Sequence, residues 1–499
     1  MNNRSGIKGL VPLHKFKFGR WQLLMNKLKM LLMLVVVVVL FTAVPFQANA
    51  SNQVDISGGV KNEYDYEEYV FISGKPVLFK GSGKNIKITS KDSKGKRITN
   101  YTYTLKSDKG DSLVRKMTYE ANVKDYILIG QTTQNGSVTK FSEEMTIDGV
   151  KYSLIDYQFS NGLTIDNRPA SDYYAGNIIA RKIYEKQVNR SNKERIEVNI
   201  ISRNEGYTNF WGATEAQITT SEIKFANGSV ALVENRVSSN KSRTLNYEPN
   251  SATLSSFTGG YAMNTTAEMV SSYKYNFGDG EHILETNAGY TPVVERLPIP
   301  KFRDIAKHFG KDAIEQLYSL GVYDEDLEYF SPNLQMQRYD FAIAISKALN
   351  LRVFEEPLKS DTTRLFSDVA RTKKDYEYLV AAFNKGVING VSTTHFDPEG
   401  VLTREQAATI LIRALGLEGR VQDNQTLTKY KDQAKISTYA KAAVSEASRI
   451  GLLQGHANGT FAPQGKLTRA ESAVVLTRFL DYLKSDLKNN YQEDILFFN

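Results

Sequence analysis

Three arginines near the carboxyl end, Arg338, Arg404 and Arg469, stand 66 and 65 residues apart, and the residues around them keep step. Five residues before Gln337, Thr403 and Thr468 comes a proline, in Phe330-Ser331-Pro332, Phe396-Asp397-Pro398 and Phe461-Ala462-Pro463. Nine or ten residues before each phenylalanine is a glycine, Gly321, Gly386 or Gly451, placed where a helix would end in a left-handed residue. Farther back stand Phe302-Arg303-Asp304, Phe366-Ser367-Asp368 and Tyr430-Lys431-Asp432. Each unit therefore reads as aromatic-x-Asp, helix, glycine stop, Phe-x-Pro loop and second helix. Such a period predicts an array whose members bury their apolar faces on one another.

The second helices carry a further pattern. In Leu467-Thr468-Arg469-Ala470-Glu471 and Leu402-Thr403-Arg404-Glu405-Gln406, a threonine precedes Glu471 or Gln406 by three residues, ahead of an apolar run. That is a capping box, in which hydroxyl and carboxylate or amide satisfy free backbone N–H groups at the helix start. The arginine then falls at about the first helical position, where a guanidinium beside unpaired N–H groups suits a carboxylate or phosphate. For one copy helix capping alone is the better explanation; recurrence favours an anion site. The first unit departs, with Gln337 for the threonine and Asp340 for the glutamate. Ala342, Ala408 and Ala473, then Ile345, Leu411 and Leu476, then Leu349, Leu415 and Leu480 share one helical stripe, which reads as core.

On these landmarks Leu297–Leu483 resembles three S-layer homology (SLH) modules. The resemblance implies a pseudo-threefold all-α bundle whose inter-module grooves hold a secondary cell-wall polysaccharide, in many members bearing a pyruvate ketal and hence a carboxylate. Matched to the family's Thr-Arg-Ala-Glu motif, Thr403, Arg404, Thr468 and Arg469 are the expected glycan-binding residues, with Arg338 equivalent in position. Gly390 and Gly455 join them as the second glycines of Gly386-Val387-Ile388-Asn389-Gly390 and Gly451-Leu452-Leu453-Gln454-Gly455. The first module lacks that glycine, so its groove is expected to be weak or purely structural. Lys374 stands where the family usually has tryptophan, Phe309 and Tyr439 being the other occupants.

The chain's start is read differently. A basic stretch, the apolar run Met30–Val44 and the small-x-small Ala48-Asn49-Ala50 together predict a secretory signal peptide within residues 1–50. The run is too short to span a bilayer, so no membrane span is expected after cleavage before Ser51, and Met25 is an alternative start. Residues 1–50 hold seven Lys or Arg and no acid, so without them the formal +8 falls to +1, 56 basic against 55 acidic residues. No basic stripe remains for nucleic acid. With no cysteine, disulfide and thiol chemistry are both excluded.

Residues 51–290 change period. Runs such as Tyr69-Val70-Phe71-Ile72 and Glu197-Val198-Asn199-Ile200-Ile201 are β-branched and aromatic, and Asn135-Gly136, Asp148-Gly149, Asn161-Gly162 and Asn227-Gly228 are read as hairpin turns. The expected fold is therefore an N-terminal all-β part, an antiparallel sandwich, barrel or meander, followed by the all-α bundle of modules at 301–355, 364–420 and 428–485. Three prolines in 291–300 predict an extended, stiff linker, and 486–499 is a tail whose Ile495-Leu496-Phe497-Phe498 end either docks or frays. Tyr64, Tyr66, Tyr69, Tyr173 and Tyr174 read as cross-strand packing rather than sugar stacking. Only His282 of the five histidines falls in the β part, so a Ser-His-Asp set has a single possible base there and no two-histidine metal motif exists. Glu63, Asp65, Glu67 and Glu68 offer carboxylates for a glycosidase pair, but Glu63, Asp65 and Glu67 alternate with Tyr64 and Tyr66, which favours an exposed strand face. The reading is an exported surface protein, non-enzymatic and without cofactor or metal, whose partner is cell-wall polysaccharide. A wall-associated polysaccharide-active enzyme and a self-associating, lattice-forming S-layer subunit are the alternatives.

Overall fold

The computed structural model describes residues 60–61, 65–126, 131–187, 192–249, 259–289, 292–323, 327–349, 365–418 and 429–492. The export signal, Glu63, Tyr64 and the Ile495–Phe498 end lie outside them. No helix among the described residues is long and apolar enough to cross a membrane.

The β part is one antiparallel sheet. Its first strands are short: β1 (Val60–Lys61), β2 (Asp65–Val70), β3 (Val77–Ser82), β4 (Ile86–Ser93) and β5 (Lys96–Lys106). Long strands follow: β6 (Ser112–Tyr126), β7 (Gln131–Ile147), β8 (Val150–Asn167), β9 (Ser171–Gln187) and β10 (Lys193–Asn209). The last are β11 (Gly212–Lys224), β12 (Val230–Glu248), β13 (Gly260–Asn276), β14 (His282–Gly289) and β15 (Val293–Arg296). Neighbours in sequence pair in space from β5 to β14, so of the expected topologies the meander is the one formed.

Alternation along each strand sets the buried face. In β6 it falls on Leu113, Arg115, Met117, Tyr119 and Ala121, every second residue. The sheet curls until its first strands meet its last, with the rings of Tyr69 and Phe71 5.2 and 5.9 Å from that of Tyr273. One core inside this roll takes side chains from β2 through β13.

Two of the expected turns are turns. Asp148 and Gly149, at φ 49° and 77°, close the β7–β8 hairpin, and Gly228, at φ 84°, lies in the β11–β12 turn. Asn135-Gly136 and Asn161-Gly162 are not: they lie inside β7 and β8, facing one another across the ladder. The glycine serves an aromatic ring instead. A Cβ at Gly136 would collide with the ring of Tyr119, whose hydroxyl donates to Asn161 Oδ1 at 2.5 Å. Tyr174 covers Gly206 in the same way. An Asn-Gly pair under a ring and an Asn-Gly turn look alike in sequence.

Among the described residues six α-helices follow: α1 (Lys311–Ser319), α2 (Arg338–Ala348), α3 (Tyr376–Asn384), α4 (Arg404–Ala414), α5 (Lys441–Arg449) and α6 (Arg469–Gln492). Gly321, Gly386 and Gly451 end α1, α3 and α5 at φ 72°, 71° and 80°, in the left-handed region as expected. The stripe of Ala342, Ala408, Ala473, Ile345, Leu411 and Leu476 is fully buried.

Sheet and bundle share a core. Tyr207, Trp211 and Met263 pack into the same cluster as the helices. Trp211 Nε1 donates to Leu480 O at 2.6 Å and Asn209 Nδ2 to Leu483 O at 2.8 Å. The proline-rich stretch is stitched in as well: β15 pairs with β13, Leu297 N donates to Tyr261 O, and Ser319 Oγ donates to Pro298 O. Residues 486–492, expected in the tail, continue α6, where Asp486 accepts from the Tyr207 hydroxyl at 2.5 Å.

Candidate functional site: the ring of inter-module arginines

Each module first builds its own loop. Asp304 accepts from Phe330 N and Ser331 N, Asp368 from Phe396 N and Asp397 N, and Asp432 from Phe461 N and Ala462 N, all at 2.7–3.1 Å. These bonds hold Ser331, Asp397 and Ala462, the middle residues of the Phe-x-Pro loops, at φ 57°, 60° and 54°. Non-glycine residues enter that region only when surroundings over-determine them, and here one carboxylate per module does so.

The loops then receive the next helix. Arg338 N and Tyr339 N donate to Gly400 O and Pro398 O, Arg404 N and Glu405 N to Gly465 O and Pro463 O, and Arg469 N and Ala470 N to Leu334 O and Pro332 O. First joins second, second joins third, and third returns to first. At the centre Met336 N donates to Leu467 O, Leu467 N to Leu402 O and Leu402 N to Met336 O. The modules form a closed ring.

The arginines lie across these junctions. Arg338 Nε donates to Phe396 O at 3.1 Å, Arg404 Nε to Phe461 O at 2.8 Å and Arg469 Nε to Phe330 O at 3.0 Å. Each guanidinium also covers the ring of that phenylalanine, at 5.0, 5.1 and 4.5 Å from its centroid. Arg404 Nη2 reaches Gln454 O at 2.5 Å. The first two backbone N–H groups of α2, α4 and α6 are thus occupied by carbonyls, and the cationic side chains, rather than free N–H groups, are what an anion would meet. Arg338 is buried and Arg404 part-buried, and among the described residues neither has a carboxylate at ion-pair distance. Burial accordingly pushes both guanidinium pKa values down. A part-buried cation whose nearest carboxylates stand beyond ion-pair distance is costly, and an anion entering the junction would relieve that cost.

The remaining expected residues act on the frame. Thr403 and Gln406 form the full capping box, with Gln406 N to Thr403 Oγ1 at 3.3 Å and Thr403 N to Gln406 Oε1 at 3.0 Å. Thr468 and Glu471 do the same at 3.1 and 2.8 Å, whereas Gln337 makes no side-chain cap. Thr403→Ala should therefore lower stability by about 1 kcal/mol, within a range of about 0.5–2, measured by urea denaturation. Gly390 and Gly455 make room: a Cβ would strike the rings of Phe366 and Tyr430 respectively. Phe309, 71% exposed, and Tyr439, 55% exposed, lie open to solvent, while Tyr339 donates its hydroxyl to Lys374 O.

Two features escaped the sequence reading. The phenylalanine of each Phe-x-Pro loop is the shelf under a neighbouring module's arginine; its recurrence was visible, its partner was not. Glu405, 2% exposed, accepts from Ser437 N, Ser437 Oγ, Tyr439 Oη and Gln464 Nε2 at 2.7–3.2 Å, tying the second module to the third.

The family model for the S-layer homology domain matches residues 365–408 and 429–473. The protein carries SLH domains. Exoglucanase XynX of Acetivibrio thermocellus is 32% identical over 183 residues, 36% of this chain and 16% of that protein. The amylopullulanase of Thermoanaerobacterium thermosulfurigenes is 31% identical over 183 residues, 36% of this chain and 9% of the other. The surface-layer 125 kDa protein of Lysinibacillus sphaericus is 30% identical over 194 residues, 38% and 16% of the two chains. This chain spans less than a fifth of the length of each. The two matched SLH segments contain the two complete capping boxes; the segment with Gln337 lies outside the match.

Proposed function

We propose that the SLH modules anchor this protein non-covalently to the cell wall by taking an anionic, pyruvylated secondary cell-wall polysaccharide at the module junctions. Arg404 and Arg469 are the main contacts and Arg338 a weaker one. One observation carries the reading: guanidiniums set between modules and stacked on phenylalanine, with no carboxylate at ion-pair distance from Arg338 or Arg404 among the described residues. A sugar-borne carboxylate is the size and charge that such a junction accepts. A relative named for a surface layer supports the same location. Residues 51–290 are then cargo held at the surface, with no reaction of their own; turnover of a wall glycan by the intact chain would overturn that part.

The test is sedimentation with purified sacculi. A charge-assisted hydrogen bond is worth about 1.5–3 kcal/mol, so Arg404→Ala with Arg469→Ala should weaken binding by about a hundredfold or more. Because both side chains also brace the junctions, the melting temperature is followed in parallel, and Arg→Lys variants separate charge from bracing. Undiminished binding by a folded double variant rejects these residues. Full binding to sacculi whose carboxylates have been amidated rejects the anionic ligand.

A further inference from the structure

Inside the β roll, far in sequence from the modules, lies a cavity of about 140 Å3. Its wall carries four charged side chains, all nearly or fully enclosed: Glu68, Arg115, Glu143 and Lys182. Arg115 donates through Nε to Glu143 Oε2 at 2.6 Å and through Nη1 to Glu68 Oε2 at 2.9 Å. Lys182 Nζ reaches Glu143 Oε2 at 3.4 Å, the Tyr184 hydroxyl donates to Glu143 Oε1 at 2.6 Å, and the Tyr66 hydroxyl to Glu68 Oε2 at 2.5 Å. Every carboxylate oxygen is thus engaged except one. Among the described residues Glu68 Oε1 has no hydrogen-bond partner, and its side chain is only 3% exposed.

We propose that this cavity binds a small, uncharged, hydroxyl-rich molecule, one pyranose ring or a polyol of that size, through Glu68. The charges fix the first property: two acids and two bases balance, so a charged guest would bring an enclosed charge with nothing to neutralise it. The unpaired oxygen fixes the second, because a buried carboxylate oxygen calls for an O–H or N–H donor. The rest of the wall suits the same guest. Ser202, Gln217 and Thr219 form a hydrogen-bonded hydroxyl–amide patch, and Tyr157 and Tyr273 line the cavity with aromatic surface. A volume of about 150 Å3 accommodates one six-membered ring. The site is separate from the module junctions and does not rest on the anchoring reading.

The experiment is titration calorimetry and saturation-transfer NMR on the full chain with glucose, N-acetylglucosamine, glycerol and, as a charged control, glucuronate. At least one neutral probe should bind, glucuronate should not compete for that site, and Glu68→Gln should weaken the neutral probe by about tenfold or more. Glu68 also braces Arg115, so Ala180→Leu, which fills part of the cavity without removing any member of the ion cluster, provides the second arm and should abolish the same signal. Arg404→Ala should leave it unchanged. The proposal is overturned if no neutral probe binds and the cavity takes up water only, if glucuronate is preferred, or if Ala180→Leu, still folded, binds as the parent does.

Discussion

Glu143→Ala should destabilise the β part by about 3–5 kcal/mol, the usual cost of removing one partner from a buried ion cluster. The loss would leave Lys182 without a carboxylate, Arg115 with Glu68 alone and the Tyr184 hydroxyl without its acceptor. Burial by itself would raise the pKa of Glu143, but Arg115 and Lys182 outweigh it and hold the carboxyl well below the ordinary range. A depressed folded-state pKa stabilises above the unfolded value of about 4.3, and that stability is lost as pH falls from there toward the folded value. The gap between parent and variant, measured by urea denaturation with near-ultraviolet tyrosine dichroism, should therefore be widest near neutral pH and narrow in acid. A pH-independent gap would mean that Glu143 acts through packing alone.

Trp211→Ala should separate the unfolding of sheet and bundle. Truncating a buried large aromatic costs about 3–5 kcal/mol, and here the indole is 2% exposed and inserted into the helices' own core. It also supplies the Nε1–H bond to Leu480 O. Calorimetry of the parent should give one transition; the variant should give two, with the lower at a clearly reduced temperature. Trp211→Phe keeps most of the packing and loses the donor, so it should fall by only about 1 kcal/mol. A single, unshifted transition in Trp211→Ala would show that the two parts are coupled elsewhere.

The bundle was legible in the sequence because its landmarks are local. Gly321, Gly386 and Gly451 stop helices by their own backbone freedom, and Thr403 and Thr468 cap by reaching residues three positions on. What was not legible is pairing across modules. Nothing near Arg404 in the chain indicates that Phe461 will lie beneath it, since 57 residues separate them. The sheet shows the same limit. Strand alternation is local and legible, but Gly136 depends on Tyr119 of the neighbouring strand, so its Asn-Gly signature looks like a turn in sequence and is none in the fold. Alternation puts Glu68 on the face opposite Glu67, but does not show that it meets Arg115 there, a residue 47 positions away.

The circular handover of Met336, Leu402 and Leu467 also sets a number. A linear stack of units can gain or lose members at its ends and merely change length, whereas a closed triangle admits neither more nor fewer. Each junction draws its cation from one unit and its aromatic shelf from the next, so excising a single unit dismantles two junctions and leaves one whole. The described residues therefore hold three such junctions, and trimming the gene one segment at a time cannot change that number in single steps.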